Sequence, residues 1–170
     1  MSLFALPDSN KGIALLSLLV SVLALTLKYA AYTVSGSVAL GADAMETIIN
    51  VVSAAGGLWA LGIADRPADH THTYGHYKAE YLSAVAEGTL VVMTAFLIGR
   101  EAIEGWLSPH PALAPWSGLA LNAAATVLNR IWGLTMLQAG RARRCPALVA
   151  GGQHVLSDVW TGVALVIGVA

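Results

Sequence analysis

Five runs of apolar residues, each eighteen or more positions long, take up most of this chain; they fall at 12–34, 38–63, 81–98, 113–137 and 146–170. An α-helix rises about 1.5 Å per residue, so about 20 such residues cross a hydrocarbon core about 30 Å thick. Within lipid every backbone N–H and C=O needs a partner inside the protein, which a helix supplies from its own length. The chain is therefore read as all-α, a polytopic transmembrane helix bundle of about five spans, with residues 1–170 forming one domain. Charged residues make up only 11% of it, against roughly 25% in soluble domains. A soluble helical protein of this size would still turn most of its surface to water. The first run is longer than a signal-peptide core and is preceded by Lys11 alone, so it is expected to be a retained span.

Several function classes drop out. Nine Lys+Arg against ten Asp+Glu give a net charge of −1, which leaves no bulk positive charge for nucleic acid. Cys145 is the one cysteine, so neither an internal disulfide framework nor a multi-cysteine zinc site is available. The run His76-Tyr77-Lys78-Ala79-Glu80 is not H-E-x-x-H, and no G-x-S-x-G, P-loop or G-x-G-x-x-G context occurs. An enzyme is not expected.

Loop charge sets an orientation. Lys11, Arg66, Lys78, Arg141, Arg143 and Arg144 lie in the N-terminal tail and the even-numbered loops, whereas the odd-numbered loops hold Arg100 beside Glu101 and Glu104. By the positive-inside rule the first group, and with it the N-terminus, is cytoplasmic. Ser35-Gly36 and Ser108-Pro109-His110-Pro111 mark outer turns; Arg66-Pro67 and Cys145-Pro146 mark inner ones.

Polar residues inside spans are costly in hydrocarbon, so they mark where function lies. Asp43, Glu46 and Asn50 are spaced i, i+3, i+7 and share one face of the second span; His154 and Asp158, spaced i, i+4, share a face of the fifth. Glu46 and His154 each lie about 12 Å along their helices from opposite surfaces, so the two sets approach the midplane together. Two carboxylates, an imidazole and an amide oxygen make a four-ligand set for a divalent ion such as zinc, manganese or iron. Gly56-Gly57 and Gly151-Gly152 are expected to allow close helix approach. The competing reading is a polar network that only pins helices together.

A second cluster, Asp69, His72 and His76, lies in an inner loop at spacing i, i+3, i+7 and would face one ion if the segment turned helically. A solvated interface loop is the alternative there. Glu87 is expected to pair with Lys28 rather than relay protons, and Arg130 to pair with Glu87 or Asp43 or to snorkel. Asn122 and Asn129 read as helix–helix contacts, and Trp59, Trp106 and Trp116 as an interfacial aromatic belt.

The residues also carry a family resemblance. The stretch 35–50, with Asp43, Glu46 and Asn50, resembles the second-span signature of the cation diffusion facilitators. Arg66-Pro67-Ala68-Asp69 followed by His72-Thr73-Tyr74-Gly75-His76 resembles their inner-loop motif, and His154 with Asp158 the H-x-x-x-D of their fifth span. The resemblance covers essentially the whole chain. It implies efflux of divalent cations in exchange for protons, by alternating access in a homodimer within the lipid bilayer, here a bacterial inner membrane. Carried over, the transport site is Glu46, Asn50, His154 and Asp158, the loop site is Asp69, His72 and His76, and Asp43 has a supporting role, with Lys28 or Arg130 neutralising it.

Two departures accompany the resemblance. Glu46 and Asn50 stand where the family more often has His or Asp followed by Asp, which leaves iron, manganese, cobalt or nickel open beside zinc. The family's sixth span and cytoplasmic C-terminal domain are expected to be absent. The alternative function is therefore a non-transporting, truncated or regulatory membrane module that keeps metal binding or pairs with a full-length transporter. No resident cofactor is expected; the metal is cargo.

Overall fold

The computed structural model describes residues 6–107 and 116–169. Five helices follow one another: α1 (Asn10–Ser35), α2 (Val38–Ala64), α3 (Lys78–Leu107), α4 (Trp116–Ala142) and α5 (Pro146–Val169). They match the five apolar runs. The outer turn expected at 108–111 and the start of the fourth run lie outside the described residues, as does the side chain of Trp106. By length and composition α1, α2 and the Lys78–Arg100 part of α3 are able to cross a membrane. In α4 and α5 the polarity turns inward, where Asn122, Asn129, His154 and Asp158 are buried.

Local chemistry sets the boundaries. Ser9 caps α1 by accepting a hydrogen bond from the Gly12 amide at 3.0 Å. Gly36, at φ 64°, ends it in the left-handed conformation, and its N–H reaches the Tyr32 carbonyl. Only Gly36 and Ser37 separate α1 from α2, so the two form an antiparallel hairpin. Pro146 opens α5, where a missing N–H costs nothing. Helix α3 runs well beyond the expected 81–98, and an Arg100–Glu104 pair at 2.7 Å lies on that extension.

Helix α1 packs between α2 and α4, α4 and α5 form the most intimate pair, and α3 lies against α5 and α2. The α4–α5 contact is nearly backbone on backbone. A Cβ at Gly140 would stand 2.8 Å from the Val149 nitrogen, and one at Gly152 2.9 Å from the Leu137 nitrogen. Packing of small residues is what holds helices where lipid competes for apolar surface. The expected role of the glycine pairs is thus corrected in part: Gly152 packs on α4, Gly56 meets nothing within 4 Å, and Gly57 and Gly151 both face Glu87 of α3. A core of Ile13, Leu61, Trp132, Met136 and Leu148 fills the end of the bundle nearest the N-terminus. There the Trp132 indole donates to the Ser17 hydroxyl at 3.1 Å, tying α4 to α1.

Salt bridges and hydrogen bonds gather the basic end. Lys11 meets Asp65 at 3.0 Å, and the Arg143 guanidinium donates to the carbonyls of Pro7 and Asp8 at 2.6 and 2.7 Å. The N-terminal tail, the α2–α3 loop and the α4–α5 turn therefore share one end, the side that loop charge assigns to the cytoplasm. Helix α3 is the least enclosed, with Leu82, Val85, Val92, Met93 and Phe96 exposed.

Candidate metal centre

The polar face of α2 divides between two tasks. Asp43 is fully engaged: the Lys28 ammonium of α1 lies 2.7 Å from its Oδ1, and the Asn122 amide of α4 donates to its Oδ2 at 2.6 Å. The Thr126 hydroxyl in turn donates to the Asn122 carbonyl oxygens, side-chain and backbone. Both ion-pair side chains are essentially sealed from solvent. The assignment of Lys28 to Asp43 agrees with one of the two expected partners, while the expected Lys28–Glu87 pair does not form. Arg130 is exposed, and among the described residues it makes no ion pair.

About two turns further along, Asn50 points to α5. Its amide donates to Asp158 Oδ2, so the structure joins the second-span and fifth-span sets at this point. Asn50, His154 and Asp158 are all buried, and three of their potential ligand atoms have no hydrogen-bond partner: Asn50 Oδ1, His154 Nδ1 and Asp158 Oδ1. A buried lone pair without a donor is unfavourable unless something else satisfies it. Glu46 is half-buried and lines a separate groove between α2 and α3, with Thr94 and Ile98. The structure thus brings together three of the four expected ligands and holds Glu46 at their edge.

In the α2–α3 loop, ligand atoms of Asp69, His72 and His76 all lie within 4.8 Å of one another. His72 Nδ1 is 3.3 Å and His76 Nε2 3.4 Å from the Asp69 carboxylate. The segment does this by turns, not by the helix expected from spacing. Asp69 Oδ1 accepts from the Thr71 and His72 amides and the Thr71 hydroxyl, and Gly75, at φ 83°, reverses the chain so that His76 returns. These hydrogen bonds, that of the Thr71 hydroxyl first, hold the Asp69 carboxyl down at about 2.

A groove of about 660 Å³ runs from His72 and His76 between α2 and α3 as far as Glu87. A small cavity of about 20 Å³ begins on the other side of Glu87 and is lined by Ser17, Ser21, Asn50, Ser53 and His154. Glu87 was the residue whose place sequence reasoning missed. The small residues Gly57 and Gly151 were its signal: a Cβ there would stand 3.2 and 3.0 Å from the Glu87 carboxylate oxygens.

Comparison with known proteins decides the family: the cation efflux transmembrane domain matches residues 14–170. This chain belongs to the cation efflux family. Among curated relatives, an uncharacterized transporter of Synechocystis sp. is 42% identical over 157 residues, covering 92% of this chain and 51% of that protein. The cation-efflux pump FieF of Cronobacter sakazakii is 29% identical, covering 92% of this chain and 52% of the pump. FieF of Shewanella oneidensis is also 29% identical, at 84% and 48%. The chain spans about half the length of the curated relatives it matches. The matched span of the cation efflux domain takes in Glu46, Asn50, His154, Asp158 and the whole loop cluster.

Proposed function

We propose that this cation efflux chain carries the transport site of a proton-coupled divalent-cation exporter, with zinc as first cargo. The supporting observation is the set of buried, unpartnered ligand atoms Asn50 Oδ1, His154 Nδ1 and Asp158 Oδ1, contributed by two facing helices. A divalent cation takes these lone pairs when His154 is neutral and Asp158 ionised. Glu46 completes the set by turning from its groove, which brings two carboxylates, an imidazole nitrogen and an amide oxygen to one ion. Metal and protons compete for the same lone pairs, so protonation from the outer side ejects the cation, and deprotonation toward the cytoplasm readies the site again. An imidazole titrates in the range that suits such an exchange. The loop triad of Asp69, His72 and His76 offers three ligands, a number that leaves a position for water or a passing ion. The working unit in this reading is a homodimer in the bacterial inner membrane.

The test is zinc-stimulated proton flux in liposomes containing the purified chain and an internal pH dye. Flux is expected from the parent chain and not from His154→Ala or Asp158→Ala, and iron, manganese, cobalt and nickel in place of zinc give the ion preference. Unchanged flux in both variants refutes the assignment. Zinc binding that depends on Asp158, with no flux from the parent chain, supports the non-transporting module instead.

A further inference from the structure

Glu87 is 5% exposed, its Oε2 has no hydrogen-bond partner, and it reaches from α3 into the gap between α2 and α5. Two features single out this position. The carboxylate rests between Gly57 and Gly151: a Cβ at Gly57 would stand 3.2 Å from its Oε1, and one at Gly151 3.0 Å from its Oε2 and 2.6 Å from the Met136 methyl. It also forms a wall of both the groove that starts at the loop triad and the small cavity that holds Asn50 and His154. Gly57 lies about two turns from Asn50, and Gly151 about one turn from His154, both toward the end of the bundle where the loop triad lies. The cavity beyond carries the hydroxyls of Ser17, Ser21 and Ser53, and its volume suits about one water or one ion. The nearby buried cation, Lys28, is committed to Asp43. A carboxylate with a free oxygen at such a throat is a ligand for a hard divalent cation.

We propose that Glu87 is a relay ligand, a carboxylate that takes a divalent cation from the groove and passes it to the Asn50–His154–Asp158 site. The assignment rests on the function proposed above and adds an inner station to it. Glu87 holds the ion in transit; it is not a member of the equilibrium site. An oxygen ligand at the throat gives the ion a stopping place between groove and cavity and so shortens loading.

The experiment uses the full chain in detergent, in a His72→Ala background that disables the loop triad, with Co2+ alone as probe and its visible absorption as readout. Equilibrium titration and stopped-flow loading are measured for this parent, for Glu87→Gln, for Glu87→Asp and for Asp158→Asn. Glu87→Gln is expected to reach the parental band at equilibrium while loading slower by about tenfold or more, with most of the rate restored in Glu87→Asp. Parental loading in Glu87→Gln overturns the relay. So does loss of its band at equilibrium with helicity intact, which makes Glu87 a ligand of the main site. A parent without the band, or an unchanged band in Asp158→Asn, instead overturns the underlying transport-site assignment, and the relay with it.

Discussion

Replacing Lys28 by Met removes the cation from a buried ion pair and keeps the length of the apolar stem. At the observed 2.7 Å, two unit charges attract by about 6 kcal/mol at an effective dielectric of about 20. Part of that attraction offsets the cost of having dehydrated both groups, so the net penalty for removing one partner is about 3–5 kcal/mol. Asp43 then keeps only the Asn122 amide as donor. Replacing both ends, Lys28→Met with Asp43→Leu, removes the stranded charge and leaves only Asn122 without its acceptor, at about 1–3 kcal/mol. The double variant should therefore be more stable than the Lys28→Met single by about 2 kcal/mol. Unfolding by SDS titration in mixed micelles, followed by circular dichroism, measures all three proteins on one scale. A Lys28→Met chain within 1 kcal/mol of the parent, on the order of a surface pair, would falsify this account of the pair. So would a double variant less stable than the Lys28→Met single.

Three more outcomes follow from the same coordinates. Gly140→Ala, whose Cβ would stand 2.8 Å from a backbone nitrogen of α5, should destabilise by about 1–3 kcal/mol, whereas Gly56→Ala, which meets nothing within 4 Å, should be neutral or gain up to about 1 kcal/mol; SDS titration again decides. Burial pushes the Cys145 thiol up to about 11, so maleimide at pH 8 should label it only after unfolding, and fast labelling of the folded chain contradicts its burial. The Asp69 carboxyl is lowered from 3.8 to about 2, so its contribution to the loop is complete above about pH 4 and is lost as pH falls toward 2. Hydrogen-exchange protection of the Thr71 and His72 amides should follow that course, and protection lost well above about pH 4 would contradict it.

The helices were legible because apolar runs of spanning length leave few other structures, and the boundaries followed Ser9, Gly36 and Pro146. Spacing also placed Asp43, Glu46 and Asn50 on one face, and it said less about what each would meet. At about 100° per residue Asp43 and Asn50 align within about 20°, while Glu46 is turned by about 60°. Neighbouring helices change along α2, so aligned residues reach different partners: Asp43 finds Lys28 and Asn122, Asn50 finds Asp158. The loop triad does cluster, but not by the helix its i, i+3, i+7 spacing suggests, because Asp69 instead bonds its own loop amides. Glu87 was assigned to Lys28 by charge alone. Its real neighbours are two glycines, which carry no charge pattern for a sequence to display.

The ties described above also bear on the mechanics of the bundle. Helix α1 is fastened to α4 through Ser17 and Trp132, and to α2 and α4 together through Lys28. Eleven residues apart, the two fastenings stand about 16 Å from one another along the helix axis. A body bolted at two such levels cannot hinge at either without shearing the other, so α1, α2 and α4 are held as one unit.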